Sequence, residues 1–170
     1  RLDHESYEVT EALEKLRNGM FILIRESSIS HFLKENIQLA TKHAPEAAHR
    51  VSFCTDDVVA TDVLKRGHLD NMVRMAIREG VDPMEAIQMA TINSAVALQI
   101  DHKVGIVAPG RQADIVLVDS PETFNVEEVI AKGEFVAQGR KMLKPVARPA
   151  RPKFLTETMK VAPVSADDLK

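Results

Sequence analysis

The sequence predicts an α/β fold with parallel strands, followed by a small antiparallel β unit. Three observations carry this. Two short runs, residues 20–25 (MFILIR) and 51–54 (VSFC), have strand length without polar alternation, as strands buried on both faces do. Segments with helical spacing precede, separate and follow them, and such alternation points to parallel strands joined by right-handed crossovers. After Asp101 the helical period gives way to short β-branched stretches. Two strands alone do not make a stable α/β domain, so residues 1–99 are expected to be the last part of a larger sheet or barrel. The chain opens on Arg1 rather than Met, and we expect its beginning to lie elsewhere.

The elements follow in order. Residues 10–18 read as a helix with Ala12, Leu13 and Leu16 on one face and Gly19 as its C-terminal cap. After the strand at 20–25, Ser28 or Ser30 is the expected N-cap of a helix reaching about Lys42, with Phe32, Leu33, Ile37 and Ala40 inward. The second strand ends in Thr55-Asp56-Asp57. Helices are expected near 69–79, 83–91 and 93–99, the first ended by Gly80 and the second begun by Pro83, whose missing N–H costs nothing there. Residues 115–118 form a β-branched strand, and 126–131 with 134–138 form a hairpin turning at Lys132-Gly133. Residues 140–153 carry six basic residues, no acid and three prolines, which is linker or wrapping-arm chemistry. The expected division is 1–100, 101–142 and a tail, 143–170.

Composition narrows the function. With 170 residues the chain is long enough to bury a real core, and 45% hydrophobic with 28% charged residues fits a globular protein. A net charge of −3, 4% aromatics and no Trp argue against nucleic-acid binding. One cysteine, Cys54, excludes an internal disulfide and suits a reducing compartment, so a cytoplasmic location is expected. No apolar run approaches the roughly 18 residues of a membrane span, and no stretch reads as a signal peptide.

Two polar clusters sit where α/β enzymes place their sites. Asp3-His4-Glu5 opens the chain, and Thr55-Asp56-Asp57 follows directly on a strand. In parallel α/β folds ligands lie at the C-terminal ends of strands. An imidazole and a carboxylate presented there suit a divalent metal that activates water, with the carboxylate taking the proton. Each residue also has a plainer reading: Asp56 as a helix N-cap, His4 as a polar loop residue. Arg25 and Glu26 end the first strand and either hold substrate or brace the loop. His68 begins a helix. Cys54 reads as a small buried side chain, and His31, His43, His49 and His102 as surface residues without paired spacing. There is no phosphate-binding glycine loop and no Ser/His/Asp elbow.

Four motifs carry a resemblance: His4-Glu5-Ser6-Tyr7; Gly19-Met20 with Ile24-Arg25-Glu26; Phe53-Cys54-Thr55-Asp56-Asp57; and Gly67-His68-Leu69-Asp70 with Arg74. A fifth stretch, 105–116 (GIVAPGRQADIV), marks the small β domain of many members. The chain resembles the bacterial and archaeal adenine deaminases of the amidohydrolase superfamily over residues 2–142. The resemblance implies the C-terminal part of a TIM-like (α/β)8 metal-dependent hydrolase barrel plus a small β-sandwich segment. His4 would end barrel strand 6, residues 20–25 would be strand 7, and 51–54 strand 8. It implies His4 and Asp56 as metal ligands and Asp56 as the catalytic proton acceptor. Arg25, Glu26, Asp57 and His68 are the candidate substrate-binding residues. The implied cofactor is a divalent metal pair, Mn or Fe, with Zn as the third candidate. The implied partners are a small purine substrate, the remainder of the barrel, and further copies in a homo-oligomer, with no nucleic acid and no membrane.

The family's other metal ligands, a His-x-His, a Glu and a further His, have no counterpart in this chain, which is therefore expected to be inactive alone. Ser27 stands where members often have Gly, and Val58 where they usually have Arg. These departures keep open a related amidohydrolase acting on another purine or a cyclic amide. A non-catalytic fragment with a structural or interaction role is the third hypothesis.

Overall fold

The structure is a computed structural model, and it describes every residue except 156, 159 and 170. Among the described residues the chain forms two sheets. In the first, β1 (Leu2–Asp3), β2 (Phe21–Arg25) and β3 (Val51–Cys54) lie side by side in that order, all parallel. Leu2 sits beside Phe21, Ile22 beside Val51, and Arg25 beside Cys54. The parallel order agrees with the helix–strand alternation of the sequence.

The first crossover is α1 (Val9–Arg17), which buries Ala12 and Leu16. The apolar run that follows buries only alternate residues. Ile22 and Ile24 are each 1% exposed, whereas Phe21, Leu23 and Arg25 are half-buried. The expectation of burial on both faces is corrected to one fully buried face. Each buried isoleucine contributes about 1.5–3 kcal/mol relative to an exposed one.

The second crossover departs from one helix through Lys42. A short α2 (Leu33–Asn36) is followed by a π-helical turn, Leu39–His43, and a 3-10 stretch, Pro45–Arg50. Two features break the helix. The buried Asn36 side chain donates to the Ser6 carbonyl at 2.8 Å. Pro45 pushes the preceding residue, Ala44, out of helical backbone to φ −154°. Leu33, Ile37 and Ala40 are buried as expected, and Phe32 is half-buried. Neither Ser28 nor Ser30 caps α2. The Ser28 hydroxyl instead accepts the Val59 N–H, at the start of α3 (Ala60–Arg66), and the Ser30 hydroxyl accepts from Arg25. The sequence pattern does not reveal α3, because it buries no residue and so carries no inward stripe.

Three helices follow as expected: α4 (Leu69–Arg78), α5 (Pro83–Ala90) and α6 (Ile92–Ala97). The Asp82 carboxylate caps α5 by accepting the Met84 and Glu85 N–H groups. Met72, Val73 and Ala76 of α4 and Ala86 and Met89 of α5 share one core with Ile22, Ile24 and Val51. Ser52 and Asn93 are buried within it with their polar atoms bonded: Ser52 donates to the Met89 carbonyl, and the Asn93 amide to those of Ala48 and Val51.

The second sheet is antiparallel, with β4 (Ile115–Val118), β5 (Val126–Ala131), β6 (Glu134–Gln138) and β7 (Lys141–Met142) in sequence order. Lys132 and Gly133, both with φ above +50°, make the β5–β6 turn. β7 extends the sheet into the segment read as an arm, because that segment begins one tight turn after β6. Among the described residues this unit is one four-stranded layer. It docks through Phe124, which packs against the first unit's core and whose carbonyl accepts from Arg74 at 3.0 Å. No described helix is long and apolar enough to cross a membrane.

Gly105 follows α6 at φ +102°, and a Cβ there would stand 2.9 Å from the Ala95 Cβ and 3.1 Å from the Ile92 Cα. Gly133 has a similar φ of +83° but open space around it. Gly133→Ala should cost about 1–2 kcal/mol from the left-handed backbone alone. Gly105→Ala should cost about 1–3 kcal/mol more, because α6 and the following loop must move apart. Urea unfolding of both variants of the intact protein measures the difference, and equal losses would exclude the close approach.

Candidate active site

All three strands of the parallel sheet end on one side, and the residues that follow them converge there. β1 runs out into His4 and Glu5, β2 ends at Arg25, and β3 runs out into Thr55 and Asp56. One ligand atom each from His4, Glu5 and Asp56 lies within 4.8 Å of the others, and all three residues are exposed. The His4 Nε2 is 3.4 Å from the Glu5 Oε1.

Arg25 joins the two carboxylates. Its Nη1 donates to the Glu5 Oε1 and to the Asp56 Oδ2, each at 2.7 Å. Its Nη2 donates to the Ser30 hydroxyl at 3.1 Å, and its guanidinium lies 5.4 Å from the centroid of the Phe32 ring. Tyr7 meets Phe32 edge-on at 4.8 Å between centroids, and its hydroxyl is 3.5 Å from the Glu5 Oε2.

The backbone around these residues is fixed from below. Asp3 accepts from the Ser6 hydroxyl at 2.6 Å and from Lys15 at 2.9 Å. Burial pushes the Asp3 carboxyl up, but the Ser6 and Lys15 contacts outweigh it and leave it below the usual range. The His4-Glu5 pair is thus clasped between Asp3 and Ser6. Asp56 sits at φ +48°, the left-handed region that Asp tolerates better than most residues, and its carbonyl accepts the Val58 N–H.

The other predicted site residues divide. Asp57 is exposed, and the Ser27 hydroxyl holds its carboxyl below the usual range, with a smaller contribution from the charge of Arg25. The His68 Nε2 is 3.0 Å from the Thr55 hydroxyl, one residue from Asp56. Glu26 is 7% exposed, and its oxygens are engaged inside the protein: Oε1 is 2.6 Å from the His31 Nδ1, and Oε2 accepts the Leu33 N–H at the start of α2. Cys54 is half-buried, and burial pushes its thiol up, which disfavours a reactive thiolate. His31, His43, His49 and His102 are exposed as expected.

Glu5 belongs to the polar cluster and to the motif seen in the sequence, but neither gave it a role of its own. Its pairing with Arg25 across 20 positions depends on strand register, which no local pattern records. Thr55, Val58, His68 and Asn71 line a narrow pocket of about 10 Å³ beside Glu26, enough for about one water molecule.

The sequence matches the model of the amidohydrolase family over residues 5–136. The chain belongs to the amidohydrolase family. This amidohydrolase is 55% identical over 170 residues to adenine deaminase 1 of Desulfotalea psychrophila, covering all of this chain and 29% of that protein. It is 54% identical over 169 residues to adenine deaminase 4 of Rhizobium meliloti, covering 99% of this chain and 28% of that one. The chain thus spans less than a third of the length of these curated relatives. Among solved structures it superposes on the β-aspartyl dipeptidase of Fervidobacterium islandicum AW-1 with a TM-score of 0.64 at 21% identity, over 82% of this chain and 39% of that one. That likeness supports a TIM-barrel-type hydrolase fold and speaks for the fold alone.

The segment carrying His68 is tied down by Asp70 and Arg74. Asp70 accepts the His68 N–H at 2.6 Å and an Arg74 N–H at 2.8 Å, while Arg74 also reaches the Arg66 and Phe124 carbonyls. Burial raises the Asp70 pKa, but the His68 N–H and Arg74 outweigh it and leave the pKa below the usual value. The carboxylate's contribution is therefore full above the unfolded pKa, near 4, and lost as pH falls through the folded one. Asp70→Asn in the intact protein should cost about 1 kcal/mol at neutral pH. It should also flatten the loss of stability as pH falls below the unfolded pKa. Urea midpoints across that range check this, and an unchanged acid limb would exclude Asp70 as its source.

Proposed function

We propose that the intact protein hydrolyses adenine to hypoxanthine and ammonia with a divalent metal pair, and that this chain supplies part of the site. The observation that carries this reading is the meeting of His4, Glu5 and Asp56 at the sheet edge, in a chain 55% identical to an adenine deaminase over its whole length. One imidazole and two carboxylates, exposed and within 4.8 Å of one another, form a donor set that fits Mn, Fe or Zn. The His4 Nε2 and the Asp56 carboxylate would hold the metal, with Glu5 in reach of both. A bound pair would supply Lewis-acid chemistry that brings the pKa of water toward neutrality.

The remaining steps belong to this chain's side chains. The Asp56 Oδ2 is held by Arg25, which leaves Oδ1 to accept a proton from the attacking water. The water oxygen bonds to the purine carbon that bears the amino group. The proton passes from Asp56 to that nitrogen, the C–N bond breaks, and ammonia leaves. Asp57 and His68, exposed at the same edge, are the substrate-side candidates. Of the other two candidates from the sequence, Arg25 directs both terminal nitrogens and Glu26 both carboxylate oxygens at protein partners instead.

One observation favours a second reading. Val58 lines the narrow pocket beside His68 and Thr55, at the position where the family usually has a charged Arg. Another purine or a cyclic amide then fits the same machinery. A substrate screen separates the two.

The same reading divides the chain into a barrel part (1–100), a small β unit (101–142) and a tail (143–170), with the rest of the barrel and further copies in a homo-oligomer as partners. The free Cys54 supports a reducing location such as the cytoplasm. This chain alone is expected to bind metal weakly and to turn over no adenine.

In the intact enzyme, Asp56→Asn should lower kcat for adenine by at least about 10²-fold while the protein stays folded, because the amide accepts no proton and ligates poorly. His4→Ala should chiefly lower metal occupancy. Turnover and bound metal, measured together for both variants, test this. A folded, metal-loaded Asp56→Asn enzyme with near-wild-type turnover would exclude Asp56 as the proton acceptor.

A further inference from the structure

We propose that Arg25 is a positioning residue: a guanidinium strut that fixes the mutual placement of Glu5 and Asp56 and so prepares the donor set for its metal. In its activity arm this rests on the function proposed above. In its metal-binding arm it rests on the proposed metal site alone and not on the substrate.

Four observations converge. First, one nitrogen, Nη1, donates to both carboxylates at 2.7 Å. Two like charges with oxygens this close repel, and Arg25 is the one Lys or Arg paired with either among the described residues. Second, the other terminal nitrogen, Nη2, is held by Ser30, and the guanidinium carbon lies over the Phe32 ring, 5.4 Å from its centroid. A lysine offers neither a second nitrogen nor a flat face. Third, the Arg25 side chain is 11% exposed, so it is placed by packing rather than free to sample solvent. Fourth, Asp56 holds a left-handed backbone at φ +48°, which persists only where its surroundings over-determine it. The bond to Arg25 is the side-chain contact that does so, and it selects Oδ2 as the held oxygen and Oδ1 as the free one.

Both terminal nitrogens of Arg25 thus point at protein partners. That separates the strut from a substrate-contact role. A substrate contact would act on KM, whereas a strut acts on metal affinity and kcat.

The test uses the full-length enzyme, stripped of metal with a chelator and titrated with Mn²⁺ by calorimetry. Partners that orient metal ligands are worth about 10–100-fold in affinity or activity. Arg25→Met is therefore expected to weaken Mn²⁺ binding about 10-fold or more. Arg25→Lys should weaken it too, although the charge is kept. The kcat for adenine should fall with the affinity while KM changes little. Millimolar guanidinium should partly restore Mn²⁺ affinity to Arg25→Ala.

Unchanged or tighter Mn²⁺ binding by folded Arg25→Met would overturn the proposal, because it would make Arg25 a bystander or a competing charge. A loss confined to KM would overturn it in favour of a substrate contact. If Arg25→Met does not fold, Arg25→Lys and Phe32→Leu decide, and wild-type affinity in both would overturn the strut. If the wild type binds Mn²⁺ but leaves adenine intact, the proposed substrate fails while the Mn²⁺ titration still judges Arg25. If the wild type binds no Mn²⁺, both fail.

Discussion

The parallel register of the three short strands is the constraint on which the rest of this amidohydrolase segment depends. Parallel pairing places every C-terminal strand end on one side, so groups 20 to 50 positions apart in sequence emerge together. Each strand is only two to five residues long, and the ladder alone holds little. What fixes it is the burial of Ile22 and Ile24 against α1, α4 and α5, with Val51 and Phe53 beside them. A slip of one residue would turn the isoleucines toward the half-buried face and Arg25 into the core.

The site inherits its character from that geometry. It gathers two carboxylates, an imidazole and a guanidinium at an exposed edge, where water keeps the electrostatic strain modest. Beneath them lies a layer of hydrogen-bonded contacts: Ser6 and Lys15 on Asp3, the Asn36 amide on the Ser6 carbonyl, and Glu26 on the Leu33 N–H. These contacts hold the backbone under the exposed cluster, which lets it keep a defined shape. The Asp70–Arg74 pair extends this support outward to the antiparallel sheet through the Phe124 carbonyl.

Legibility in the sequence followed the strength of the local signal. Gly19, Gly80, Pro83 and the Lys132-Gly133 turn mark element boundaries by backbone chemistry alone, and the structure has them there. Residues 30–42 read as one helix because their apolar spacing is helical. The break arises from Asn36 reaching the Ser6 carbonyl, 30 positions away, and from Pro45 beyond the periodic stretch. α3 was illegible because it buries nothing. β7 was hidden by a basic, proline-containing neighbourhood that outweighed a two-residue pairing.

The sequence by itself determined the chemistry available: the imidazole, carboxylate and guanidinium groups at hand, and the helix–strand alternation that sends two polar clusters to one side of a sheet. Tertiary structure decided how that chemistry is shared out. His4 and Asp56 were legible as candidates because each directly follows a strand. Glu5 joined them, Arg25 turned toward both carboxylates, and Glu26 turned inward to His31 and α2. The physical reason is that strand alternation sends Arg25 and Glu26, adjacent in sequence, to opposite surroundings. Which surroundings those are depends on strands and helices far away in sequence, and no local pattern records them.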